Sequence, residues 1–126
     1  MTVVKLSLPP RPELLHVIRS VTTSVAASVE MPLDAVEEFC IAVDEAATML
    51  LTARGVSEAL SVHLDLDGGE LHAIVSGDAK AAQWPPARFE DGFAWRVLYT
   101  LTDTQLLTNG ADGPQVRLSK KVPDLV

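Results

Sequence analysis

The side chains best placed for chemistry lie together in the stretch AVDEAATML, residues 42–50. Asp44 and Glu45 are adjacent acids, and Met49 follows Glu45 by one helical turn. A carboxylate set among small alanines, just after another acid, is unusual on a helix face. The plainer alternative is a solvated rim beside a core. The sharper expectation is a helix whose inner edge lines a pocket. The other reactive side chains do not converge. Cys40 is the one cysteine; it lies on the apolar face of the same helix and reads as a small buried hydrophobe. Alone it supports neither a disulfide framework nor a zinc site. His63 and His72 fall on successive strand patterns and could face each other across a ladder. Their spacing is not a metal signature, and they read as solvated sheet histidines.

The element that must position Glu45 is the longest uninterrupted helical pattern in the chain, Leu33 to Thr52. Pro32 marks its entrance. Asp34 and Glu37 have capping-box spacing, so the Asp34 carboxylate is expected to accept first-turn N–H groups. Val36, Phe39, Cys40, Val43, Ala46, Ala47, Leu50 and Leu51 recur at three- and four-residue steps and form one apolar face. Glu38, Ile41, Glu45 and Met49 lie along a neighbouring face. Gly55 is expected to close the helix in the left-handed conformation.

Around this helix the chain alternates between periods. Val4, Leu6 and Leu8 alternate with polar residues, which predicts a half-buried strand over 2–8 that Pro9, Pro10 and Pro12 terminate. Pro12 suits the first position of a helix. Leu14, Val17, Ile18, Val21, Val25 and Val29 then form an apolar stripe to about Glu30. Its β-branched residues are poor helix formers, so packing must hold it. Arg19 lies off the stripe. Leu60, Val62, Leu64 and Leu66 alternate on a second strand, Asp67-Gly68-Gly69 signals a tight turn, and residues 71–76 pair back as a hairpin. Residues 77–91 have no period and read as a long functional loop or lid. A third helix is expected over 92–102 with Phe93, Val97, Leu98 and Leu101 inward. Strands over 104–108 and 115–121 follow, joined by a turn from Asn109-Gly110 to Gly113-Pro114, with Lys120 and Lys121 as a solvated end. The expected architecture is one domain over 1–126: an α/β (α+β) two-layer sandwich, with three helices on a mixed, mostly antiparallel sheet of about five strands.

The totals narrow the function. A chain of 126 residues suffices for one hydrophobic core. Net charge is −7 with no basic stripe, which argues against direct nucleic-acid binding. No apolar run approaches the ~20 residues of a membrane span, and the N-terminus shows no signal-peptide pattern. The expectation is a soluble cytoplasmic protein.

The motif AVDEAATML resembles the first nucleotide-site motif of the anti-sigma factor serine kinases, members of the GHKL (histidine-kinase-like, Bergerat-type) ATPase superfamily. That motif reads roughly A-V-x-E-A-x-x-N. Ala42, Val43, Glu45, Ala46 and Thr48 fit, and Met49 stands at the asparagine position. The resemblance extends over nearly the whole chain in the order of its elements. It implies a GHKL fold with ATP between helices and sheet, Glu45 as general base on an attacking serine, and a magnesium ligand at position 49. Phosphoryl transfer needs that metal to bridge phosphate oxygens, and a thioether is a poor ligand for so hard a cation. The family's second region, V-x-D-x-G, corresponds to Val75-Ser76-Gly77-Asp78-Ala79. Gly77 stands at the position of the adenine-reading aspartate, and Asp78 is one residue out of register. The third region precedes the last helix. Gly92, Leu98, Leu101 and Asp103 match it, and Ala94 replaces its second glycine.

Nucleotide-site candidates are therefore Glu45, Met49, Gly77, Asp78 and Gly92, with ATP and magnesium as implied cofactors that the substitutions disfavour. No metal-ligand set is assigned; a kinase would need another residue to hold the metal, for example Asp44 or Glu38. The resemblance also implies a homodimer, places Arg19 on a partner-binding surface of the first helix, and names the partner as a sigma factor, an anti-anti-sigma (STAS-type) protein, or both. The expected function is transcriptional regulation by protein contact, in a stress response, with weak or lost nucleotide binding. The alternative is an active ATP-dependent serine kinase acting on the anti-anti-sigma partner.

Overall fold

The computed structural model describes residues 2–81 and 83–123. Its order is β1 (Thr2–Leu8), α1 (Leu15–Ser28), α2 (Leu33–Thr52), β2 (Leu60–Asp67), β3 (Glu70–Ser76), α3 (Phe93–Leu101), β4 (Thr104–Gly110) and β5 (Gly113–Lys121). Single 3-10 turns at Pro12–Leu14 and Phe89–Asp91 lead into α1 and α3. The five strands form one sheet in the order β1-β2-β3-β5-β4. Every pairing is antiparallel, so the expected parallel component is not present among the described residues.

Alternation builds the inner face of this sheet. Leu6, Val62, Val75, Val116 and Leu107 stand in one cross-strand row, and Val4, Leu64, Ala73 and Leu118 in the next. The helices cover that face: α1 reaches β1 and β2, α2 lies over β3 and β5, and α3 meets β4. Phe39, Val43 and Leu50 of α2 are fully buried between α1, α3 and the sheet, with Ile18 and Leu98 beside them. Burying a side chain of this size contributes roughly 1.5–3 kcal/mol. That exceeds the few tenths of a kcal/mol that each valine or isoleucine costs α1 in helix propensity, so packing decides its conformation.

The central helix runs over Leu33–Thr52, as its pattern predicts. Its ends differ from expectation. The N-cap is Pro32 and no side chain caps the helix. Asp34 therefore lies inside the first turn, where its carboxylate accepts the Ala35 N–H at 3.0 Å and favours the positive end of the helix dipole. At the other end Arg54, with φ +55, takes the left-handed position. The Arg54 and Gly55 N–H groups donate back to Leu51 and Leu50 carbonyls at 3.2 and 3.0 Å, the paired closure of a Schellman motif. Gly55 is needed instead for close packing: a methyl group there would meet Pro114 at 2.8 Å.

Other departures follow from tertiary contact. On α1 the buried arc includes Thr22 and Ala26, whereas Leu14, Val17 and Val21 are only half-buried. On α2, Ala42 and Met49 are buried while Cys40 and Leu51 are intermediate. Phe93 is 75% exposed rather than inward, because it opens the first turn of α3 ahead of the part that reaches the core at Leu98. The β2–β3 hairpin has the expected two-residue turn, with Gly68 and Gly69 both at positive φ. His63 pairs with Ile74 and His72 with Asp65, so the two histidines are diagonal neighbours. Lys120 is not a solvated end. Its ammonium donates to the Glu38 carboxylate at 3.0 Å and to the Leu101 carbonyl at 2.8 Å, tying β5 to α2 and to the end of α3.

Candidate functional site

A cavity of about 810 Å³ opens between the second half of α2, residues 83–92 and the first turn of α3. From α2 it receives Glu45, Thr48, Met49 and Thr52, the spacing of one helix face. Opposite them stand Arg88 and Phe89, then Gly92, Phe93 and Ala94 at the start of α3. The segment before α3 is anchored rather than free. Trp84 is buried, and its indole N–H donates to the Thr108 carbonyl at 2.9 Å. Phe89 packs edge-to-face on Trp95, with ring centres 5.2 Å apart.

Glu45 is the acid of this cavity. It is half-buried, and among the described residues its carboxylate has no hydrogen-bond or ion-pair partner. Desolvation, and secondarily the charge of neighbouring Asp44, push its pKa above the ordinary carboxylate value. A carboxylate held this way is a stronger base than an exposed one. Met49 presents its thioether one turn further on and is almost wholly buried. Thr48 does not add a free hydroxyl, since its Oγ1 donates to the Asp44 carbonyl at 2.9 Å.

Asp44 and Glu38, two acids that could stand in for an oxygen ligand at position 49, are engaged elsewhere. Asp44 pairs with Arg19 at 2.9 Å, and Glu38 pairs with Lys120 at 3.0 Å. Among the described residues no three His, Cys, Asp or Glu side chains converge as a metal site. Beside the unpaired Glu45 carboxylate and the neutral oxygens of Thr48, Thr52 and Gln83, position 49 itself supplies a soft sulfur, which does not fit magnesium.

The structure brings Glu45, Met49 and Gly92 to this cavity and leaves Gly77 and Asp78 out of its wall. Asp78 closes a different loop. Its carboxylate accepts the N–H groups of Ser57, Glu58 and Ala59 at 2.6, 2.9 and 2.9 Å. These bonds hold its pKa below the usual range. Gly77 is buried against the backbone of Gly55. Gly92 is the N-cap of α3 with extended backbone, and a methyl group there would make an ordinary contact with the Phe89 carbonyl, so the fold does not demand glycine. Arg19 is half-exposed at the α1–α2 seam and joins the two helices through Asp44. Thr52, one further turn along the Glu45–Met49 face, was open to discovery from helical spacing. Arg88 and Phe89 were not, because no period runs through 77–91, and Phe93 was expected to face inward on the third helix.

No family model matches this chain, and none of the curated proteins matches it at a significant level. Among the described residues no helix is long and apolar enough to cross a membrane.

Proposed function

We propose that this chain is a regulatory binding protein of the anti-sigma type, built on a GHKL-like scaffold and acting by protein contact. Its partner would be a sigma factor, a STAS-type anti-anti-sigma protein, or both, with a homodimer as the working form and the half-exposed Arg19 on the contact surface. The observation that carries this is the side chain one turn after Glu45. It is Met49, and the two nearby acids Asp44 and Glu38 are held in ion pairs with Arg19 and Lys120. Two further features agree with it. Asp78 spends its carboxylate on the backbone of residues 57–59, and Gly77 is committed to packing, so neither is free to read an adenine.

The alternative, an active serine kinase, draws on Glu45 alone, whose raised pKa suits a base. The experiment that separates them is a calorimetric titration of the full chain with ATP, with and without magnesium. The regulatory function predicts no magnesium-dependent heat from a folded protein that still captures its partner. Magnesium-dependent binding would favour the kinase.

A further inference from the structure

The cavity beside α2 combines a mostly apolar wall with a single unpartnered acid. Of the described residues lining it, only Glu45 and Arg88 carry charge. Arg88 is not a free counter-ion: its guanidinium donates to Asp91 at 3.1 Å, and its side chain is largely in solvent. Asp44, next to Glu45, adds negative potential from outside the wall. An anionic ligand would therefore meet a carboxylate, with the one cation among the described lining residues already shared with Asp91. A ligand cation would supply the partner that Glu45 lacks. The remaining wall favours an apolar body. Met49 offers a polarisable sulfur, and Phe89 and Phe93 add aromatic surface to the lining, a surface type that accepts an ammonium as well as hydrocarbon. The volume lies in the range of small-molecule sites.

We propose that this cavity binds a compact organic cation: an ammonium group carried on an apolar or aromatic body. The ammonium pairs with the Glu45 carboxylate, and the body lies among Met49, Phe89, Phe93 and Ala94. The site is an open recess lined by α2, the 83–92 segment and α3, of a size that suits a small molecule. Such a ligand would act as an effector of whatever the protein binds. The inference stands independently of the anti-sigma function, because it rests on the charge and surface of the wall and is tested without nucleotide or partner.

The test uses two probes with the same ring system and opposite charge, 1-naphthylmethylamine and naphthalene-1-acetate. Each is titrated into the full chain and followed by amide-resolved NMR. The amine is expected to give saturable shifts centred on residues 45–53 and 88–94, with the acetate at least about tenfold weaker. Glu45→Gln should weaken the amine by about ten- to a hundredfold and leave the acetate unchanged or tighter. Phe93→Ala, at an exposed position that the core does not use, should weaken both probes by a similar factor. Equal affinity for the two probes would overturn the proposal, as would an amine that binds Glu45→Gln like wild type. Should Glu45→Gln fail to fold, Phe93→Ala decides the placement, and an unchanged amine affinity there overturns it.

Discussion

Gly77 is packed so tightly on Gly55 that a methyl group added to it would lie 2.0 Å from the Gly55 carbonyl oxygen. The neighbouring bonds explain the closeness. The Ala79 N–H donates to that same carbonyl at 3.0 Å, and the Gly77 N–H donates to Pro114 at 3.0 Å. The end of α2 is thereby clamped to the β3 exit and to the start of β5. Gly77→Ala must displace backbone rather than a flexible side chain. It is expected to destabilise the fold by at least about 2–3 kcal/mol, read as a lower urea midpoint. A midpoint within about 0.5 kcal/mol of wild type would show that the clamp yields.

Asp78 should make stability depend on pH. Its folded pKa is lowered by the N–H groups of Ser57, Ala59 and Glu58, the first being the strongest influence. A depressed carboxylate contributes stability above its unfolded pKa and loses it as pH falls through the folded value. Thermal midpoints should therefore drop on acidification below about pH 4. In Asp78→Asn the midpoint should be lower at pH 7 and the acid drop shallower. Parallel wild-type and variant curves would remove Asp78 as a source of the dependence.

These two positions also mark the limit of what was legible in the sequence. The boundaries of α2 were readable because Pro32 and a run of local apolar spacings define them, and the Gly68-Gly69 turn because two positive-φ residues must sit together. Glu45 and Met49 could be placed on one inner edge for the same local reason. Gly77, Asp78 and Lys120 could not. Each takes its role from a partner far along the chain: Gly55, the 57–59 backbone, and Glu38 with Leu101. Thr22 and Phe93 defeated hydropathy directly. A threonine lies in the core, its hydroxyl without a partner among the described residues, and a phenylalanine stands at a cavity mouth. In both cases tertiary position overrides residue type.

Glu45 should shift stability in the opposite sense to Asp78. A carboxyl group whose folded pKa is raised contributes most below its unfolded pKa and loses that contribution as pH rises through the folded value. Near pH 7 the ionised Glu45 is held against desolvation and against Asp44. Glu45→Gln removes that charge, so it should raise the thermal midpoint at pH 7 and match wild type near pH 4. Solvent screening at a half-buried site keeps the gain below about 1 kcal/mol. A loss at pH 7 would mean that the carboxylate makes a stabilising contact in solution.

Met49→Asn separates the metal-ligand deficiency from the rest of the site. Met49 is buried among apolar neighbours, so an amide there should cost about 1–3 kcal/mol. The same amide oxygen would give magnesium a hard ligand one turn from Glu45. The variant is thus expected to be less stable than wild type and to bind ATP more tightly when magnesium is present. Unchanged calorimetric traces from a folded variant would count against position 49 as the metal-ligand position.

Arg19 remains the most direct test of the partner surface, because its structural and functional roles predict different outcomes. Its guanidinium meets Asp44 at 2.9 Å, yet the arginine side chain is half-exposed. Exposed ion pairs of this kind contribute about 0–1 kcal/mol, and α1 and α2 are already joined by their buried side chains. Arg19→Ala should therefore move the unfolding midpoint little. Bound into a partner interface, the same arginine would be desolvated and its removal would be felt mainly in the dissociation rate. The expected result is near-native stability with partner affinity reduced by tenfold or more, on the order of a lost interfacial charge contact. Asp44→Ala distinguishes the two routes. If Arg19 serves only to fasten the helices, both variants should lose the same stability and leave partner affinity alone. If Arg19 reaches a partner, Asp44→Ala should spare most of the affinity that Arg19→Ala removes.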